Sequence, residues 1–121
     1  MTTVQLPRVQ QTLSSSLALT AIVGSRISQG IAPEDQERPY VVWSIVSAVP
    51  ENLLGDAPLE DDQRIQVDCW SPQQTQCRQM MQAAQQALET IGYIVFGPWS
   101  EYESDTNLFR WSFDLEVWNT R

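Results

Sequence analysis

Between Arg64 and Leu88 the hydrophobic period changes from two to about 3.6 with only a short break, and that change restricts the fold more than any other feature of the chain. In "RIQVDCW" Ile65, Val67 and Cys69 alternate with Arg64, Gln66, Asp68 and Trp70, the pattern of a strand with one face on a core. In the stretch that follows, Cys77, Met80, Met81, Ala84, Ala87, Leu88 and Ile91 recur at helical spacing and form one apolar stripe. Between the two, Ser71, Pro72 and Gln74 read as a helix start, with Ser71 as N-cap, proline at the first helical position and Gln74 closing a capping box. The helix is expected to run to about Thr90, with Gly92 as its terminator.

The flanking segments supply the rest of a core. Leu6, Val9, Leu13 and Leu17 recur at three and four, placing a stripe on a helix that opens near Pro7. The serines at 14–16 interrupt it, Ser16 can cap a second short helix, and Gly24 ends that helix by adopting the left-handed conformation. Residues 27–37 read as loop, Pro39 keeps Arg38 extended, and "YVVWSIVSAV" from Tyr40 to Val49 has the β-branched and aromatic make-up of a strand. After Gly92, "YIVFGPWSEYE" and "NLFRWSFDLEVW" flank a turn at "SDT", a hairpin whose first strand is bent or bulged at Gly97 and Pro98. In its second strand Phe109, Trp111, Phe113, Leu115 and Val117 face the core while Arg110, Ser112, Asp114 and Glu116 face out. The expected fold is α+β, with about four largely antiparallel strands and the helices on one face. At 121 residues the chain fits a single domain spanning 1–121.

Composition narrows the function classes. Fifteen carboxylates oppose seven arginines, lysine is absent, and the net charge is −8, which argues against binding nucleic acid through phosphate contacts. The longest near-apolar run, from Leu17 to Gly24, is too short to cross a bilayer and lacks the layout of a signal peptide, so a soluble, unexported chain is expected.

The two cysteines invite a chemical reading, which the rest of the sequence opposes. There is no histidine to act as base or ligand, and two sulfurs fall short of a zinc site. Cys69 and Cys77 both lie on apolar stripes, so they are expected to be reduced, buried core residues; a disulfide between them is the weaker alternative in a reducing compartment. The dense carboxylate cluster Glu60, Asp61 and Asp62 is the one feature suggesting a hydrolase, and it has no histidine, lysine or metal-ligand pattern beside it. No catalytic residue, metal or cofactor is expected.

Two surfaces remain as candidates for protein contact. The first is the acidic stretch of about 50–63, "PENLLGDAPLEDDQ", which reads as a long loop. It combines Asn52, Leu53, Leu54 and Leu59 with Asp56, Glu60 and Asp61. Its leucines fit either a lid on the chain's own core or an arm on another subunit. The second is the polar face of the long helix, where Gln79, Gln82 and Gln86 belong to a run of glutamines with few charges. Such a face can hydrogen-bond a neighbour without desolvating ions, although a plain bias in composition produces the same pattern.

The order "LTAIVGSRI", "RPYVVWSIVS", "RIQVDCWSPQQTQCRQMMQAAQQAL" and "LFRWSFDLEVW" resembles the tail-completion, or tail-terminator, proteins of long-tailed bacteriophages from about Leu17 to Trp118. The resemblance implies a structural, non-enzymatic subunit that assembles as a homo-oligomeric ring, commonly a hexamer, on the end of the tail tube. The ring would stop tube polymerisation and present a joining surface to the head connector. The implied partners are the tail tube protein and the head-tail connector protein, with no membrane. DNA would pass through an acidic lumen without specific binding. The implied location is the virion, at the head-tail junction, after assembly in the host cytoplasm. The same resemblance admits another neck or connector subunit of the particle, and the absence of a basic stretch counts against a DNA-holding role.

Overall fold

The structure is a computed structural model that describes residues 8–46 and 63–117. Its elements are α1 (Val9–Ser14), α2 (Leu17–Val23), β1 (Ile27–Gln29), β2 (Tyr40–Ile45), β3 (Gln63–Ser71), α3 (Gln74–Leu88), β4 (Gly92–Glu103) and β5 (Leu108–Val117). The strands form one sheet in the order β1-β2-β3-β5-β4. All neighbours are antiparallel except β1 and β2, which run parallel with Ile27 opposite Val41. The fold is therefore α+β, as the periodicities dictate. The fifth strand is β1, three residues inside a stretch that reads as loop because only Ile27 in it is buried.

One face of the sheet carries the core. Ile65, Val67 and Cys69 on β3 stand opposite Leu115, Phe113 and Trp111 on β5 and Ile45, Trp43 and Val41 on β2. The α3 helix lies across this face and buries Cys77, Met80, Met81, Ala83, Ala84 and Leu88. The two short helices close its flank, contributing Val9 and Leu13 from α1 and Leu19 and Val23 from α2. A polar clamp ties α1 to the sheet: the Trp43 indole N–H donates to Gln10 Oε1 at 2.7 Å, and Gln10 Nε2 donates to the Ile27 carbonyl at 3.0 Å.

Local details correct the sequence reading at four points. Leu17 leaves the α1 stripe and is 85% exposed, because the break after Ser14 restarts the helical phase at α2. Ser16 does cap α2, its Oγ accepting from the Leu19 N–H at 3.2 Å. Gly24 ends that helix with φ 58° and ψ −126°, a positive φ outside the left-handed helical region.

At α3 the predicted capping box is displaced. Ser71 is the last, buried residue of β3, and the N-cap is Gln73, without a side-chain cap bond. Ser71 still fastens the turn, since its Oγ accepts from the Gln73 N–H at 3.0 Å and donates to Gln76 Oε1 at 2.7 Å. Gly92 is likewise the first residue of β4 and not a helix terminator. A Cβ there would lie 2.1 Å from the Glu116 carbonyl oxygen, so glycine is required by the closeness of β5.

Candidate functional site

The α3 helix presents Gln79, Gln82 and Gln86 to solvent on the side away from Met80, Ala84 and Leu88, as the period demands. Gln86 also lines a groove of about 520 Å³ between α1 and α3, together with Arg8, Gln11, Thr12, Ser15 and Thr90. Amides and hydroxyls dominate this lining, which can both donate and accept. Asn52, Leu53, Leu54, Asp56, Leu59, Glu60, Asp61 and Asp62 lie outside the described residues. Because β2 and β3 pair with Ile45 opposite Ile65, the chain leaves β2 and enters β3 at the same end of the sheet.

The uncovered face of the sheet is organised differently. Alternation sends Arg64, Gln66 and Asp68 from β3 and Arg110, Ser112 and Asp114 from β5 to this side, and all but Arg110 bond within this set. Arg64 holds Asp114 Oδ2 at 2.9 Å, the Ser112 hydroxyl donates to Asp68 Oδ1 at 2.6 Å, and Gln66 Nε2 donates to the same oxygen at 3.1 Å. Arg110 pairs with Glu101 on β4 while its guanidinium lies 5.3 Å from the Trp70 ring centroid, and Trp70 stacks on Tyr40. As a result Ser112 and Asp114 are buried, although alternation alone marks them as outward-facing and solvated. Burial also pushes the Tyr40 hydroxyl above its ordinary pKa; nearby Arg38 opposes that shift and Glu103 adds to it.

A third surface escapes any reading of single residues. Strand β4 is an edge of the sheet, and Tyr93, Val95, Phe96 and Tyr102 on it are four of the seven large hydrophobic residues exposed among the described ones. The register shifts between Ile94 and Trp99 surround Gly97 and Pro98, as expected of a proline tolerated only at an edge or bulge. That dipeptide was the available signal for an edge strand.

Both cysteines are free and buried. The Cys77 thiol donates to the Cys69 carbonyl at 3.0 Å. Burial pushes the Cys77 thiol up to about 11 and raises Cys69 well above its ordinary range, with the neighbouring thiol a smaller cause. Such thiols are poor nucleophiles, in keeping with a core role.

The three surfaces thus differ in kind: a neutral polar helix face, an edge strand with exposed apolar residues, and a polar sheet face whose side chains bond mainly to one another. The chain belongs to the tail completion protein gp17 family, whose model matches residues 7–120. It is accordingly a structural tail-completion protein, a virion component that works by assembly with other tail proteins. Among solved structures, a chain from the virion of a native gene transfer agent particle shares the fold, with a TM-score of 0.62 and 14% identity over 92% of each chain. No curated protein matches the sequence significantly.

Proposed function

We propose that the chain terminates the tail tube: copies assemble as a ring, a hexamer in the simplest case, on the finished tube end, stop its polymerisation and form the joining surface for the head connector. The observation that carries this reading is that a chain of net charge −8 keeps carboxylates out of α3 and out of residues 92–100 of the β4 edge, where Tyr93, Val95 and Phe96 are exposed. An acidic chain approaches its own copies most readily where at least one of the two meeting surfaces lacks carboxylates.

In this reading Gln79, Gln82 and Gln86 lie at subunit contacts, with the exposed Tyr93, Val95 and Phe96 of β4 as a further contact. The segment bearing Asn52, Leu53, Leu54, Asp56, Leu59, Glu60 and Asp61 reaches a neighbouring subunit or the tube protein. The head-tail junction is then the protein's address, it assembles in the host cytoplasm, and DNA passes the acidic lumen by repulsion, without specific binding.

The test is to incubate the protein with purified tail tubes and, separately, with tailless heads. Binding to tube ends that arrests growth supports termination. Binding to heads alone would move the protein to a neck position in the same particle. Tails of normal length in cells lacking the gene would defeat the assignment.

A further inference from the structure

Charge is segregated along this chain. Residues 8–33 and α3 contain Arg8, Arg26 and Arg78 and no carboxylate, whereas β4, β5 and the turn between them contain Glu101, Glu103, Asp105, Asp114 and Glu116 against Arg110 alone. Glu101 and Asp114 are engaged by Arg110 and Arg64 on the sheet face. Glu103 and Asp105 stand exposed at the tip of the β4–β5 hairpin, beside the half-exposed ring of Tyr102. Shape follows the same division, since the carboxylate-free layer holds the groove between α1 and α3 and the acidic end is a hairpin turn.

We propose that the groove between α1 and α3 seats the β4–β5 hairpin tip of a second copy of this chain, so that copies join head to tail through unlike surfaces. The inference rests on the ring reading above and specifies its contact. Charge complementarity selects the occupant: carboxylates at the tip meet Arg8 and the amide and hydroxyl groups of Gln11, Thr12, Ser15 and Gln86, which can donate to them. On a neighbour's own β4–β5 hairpin the tip would face carboxylates like its own, whereas the groove lining contains none. Because the contact joins unlike surfaces, each copy keeps one groove and one hairpin for its two neighbours, the geometry of a closed ring when the rotation closes.

Two exposed double variants test the proposal, one on each surface: Glu103→Arg with Asp105→Arg on the hairpin, and Gln11→Glu with Gln86→Glu in the groove. Association is read as mass by analytical ultracentrifugation, alone and with tail tubes, after a thermal melt shows that each variant folds as the parent does. Each variant alone should associate about a hundredfold more weakly. An equimolar mixture should recover to within about tenfold of the parent, because a native groove meets a native hairpin and the two altered surfaces carry opposite charges. If the hairpin variant fails to fold, Glu103→Gln with Asp105→Asn keeps the shape and should still weaken association measurably. Unchanged association of either variant, or a mixture that does not recover, overturns the seat while leaving the ring reading intact. A parent chain that never self-associates, even on tube ends, overturns both.

Discussion

The outer face of α3 and the uncovered face of the sheet are both made of side chains that alternate away from one core, yet they handle polarity in opposite ways. On the sheet, charges and hydroxyls are bonded to one another across β3, β5 and β4, to the point that Ser112 is fully buried and Asp114 nearly so. On the helix, Gln79, Gln82 and Gln86 stand exposed, α3 itself contains no carboxylate, and the nearest in sequence is Glu89 at its C-cap. A network that satisfies most of its own groups, with Asp114 Oδ1 and Arg110 Nε left over, stabilises the monomer, because breaking it leaves more buried groups unpaired. A row of neutral amides adds little to the monomer and keeps its bonding capacity for a neighbour.

The sharpest way to break this comparison is to charge the helix face. Gln79→Glu with Gln86→Glu should leave monomer stability within about 0.5 kcal/mol, since both positions are exposed and point away from the core. Self-association on tail tubes should fall by about a hundredfold or more, as like charges meet at each contact. Unaltered assembly by mass measurement would remove the helix from the interface.

The sheet side predicts the reverse. Ser112→Ala removes a buried donor from Asp68 and should cost about 1–2 kcal/mol in urea unfolding. Association, measured on the protein that remains folded, should not change. If Ser112→Ala proves neutral for stability and damaging for assembly, the two faces have been assigned the wrong way round. The core beneath them should respond to Cys69→Ala with Cys77→Ala by about 1–3 kcal/mol, through lost packing, again with assembly intact.

The sequence made some of this legible and hid the rest for physical reasons. Two periodicities meeting at Ser71 are enough to place β3 and α3 and to bury both cysteines, because burial of one face is what a period records. The same logic predicts α2 and its Ser16 cap, where the capping atom is local. It misplaces the α3 cap by two residues, because whether Ser71 ends a strand or opens a helix depends on the long-range pairing of Ser71 with Phe109. It also marks Ser112 and Asp114 as solvated, since alternation says which way a side chain points and nothing about Asp68 or Arg64 arriving from the next strand. The glutamine face was readable from one helix, whereas the exposed β4 edge required the strand order. Seven of the ten candidate contact residues, from Asn52 to Asp61, lie outside the described residues, so their role stands as part of the proposed function.

A smaller effect separates the acidic segment from both faces. Replacing residues 51–62 with a shorter Gly and Ser linker should alter stability by only about 0.6 kcal/mol for a twofold change in length, as closure entropy varies slowly with loop size. Assembly on tubes should be lost. A shortened chain that unfolds would show that Leu53, Leu54 and Leu59 cover their own core.

A slope with pH tests the core that both faces share. In the folded chain the Cys77 thiol is held at about 11 against an ordinary 9.0, and Cys69 and Tyr40 are raised in the same direction by burial. Between those values the unfolded chain has released a proton that the folded chain still holds, so unfolding releases protons and rising pH favours it. The contribution is complete below about pH 9 and is lost as pH climbs towards 11. Urea midpoints measured from pH 7 to 11 should hold steady and then decline, and Cys69→Ala with Cys77→Ala should flatten that decline without abolishing it, because Tyr40 remains. An identical slope in the double variant would mean that the thiols titrate as exposed groups do. They would then also react readily with maleimide at pH 8 in the folded protein, which buried thiols packed beneath α3 should not.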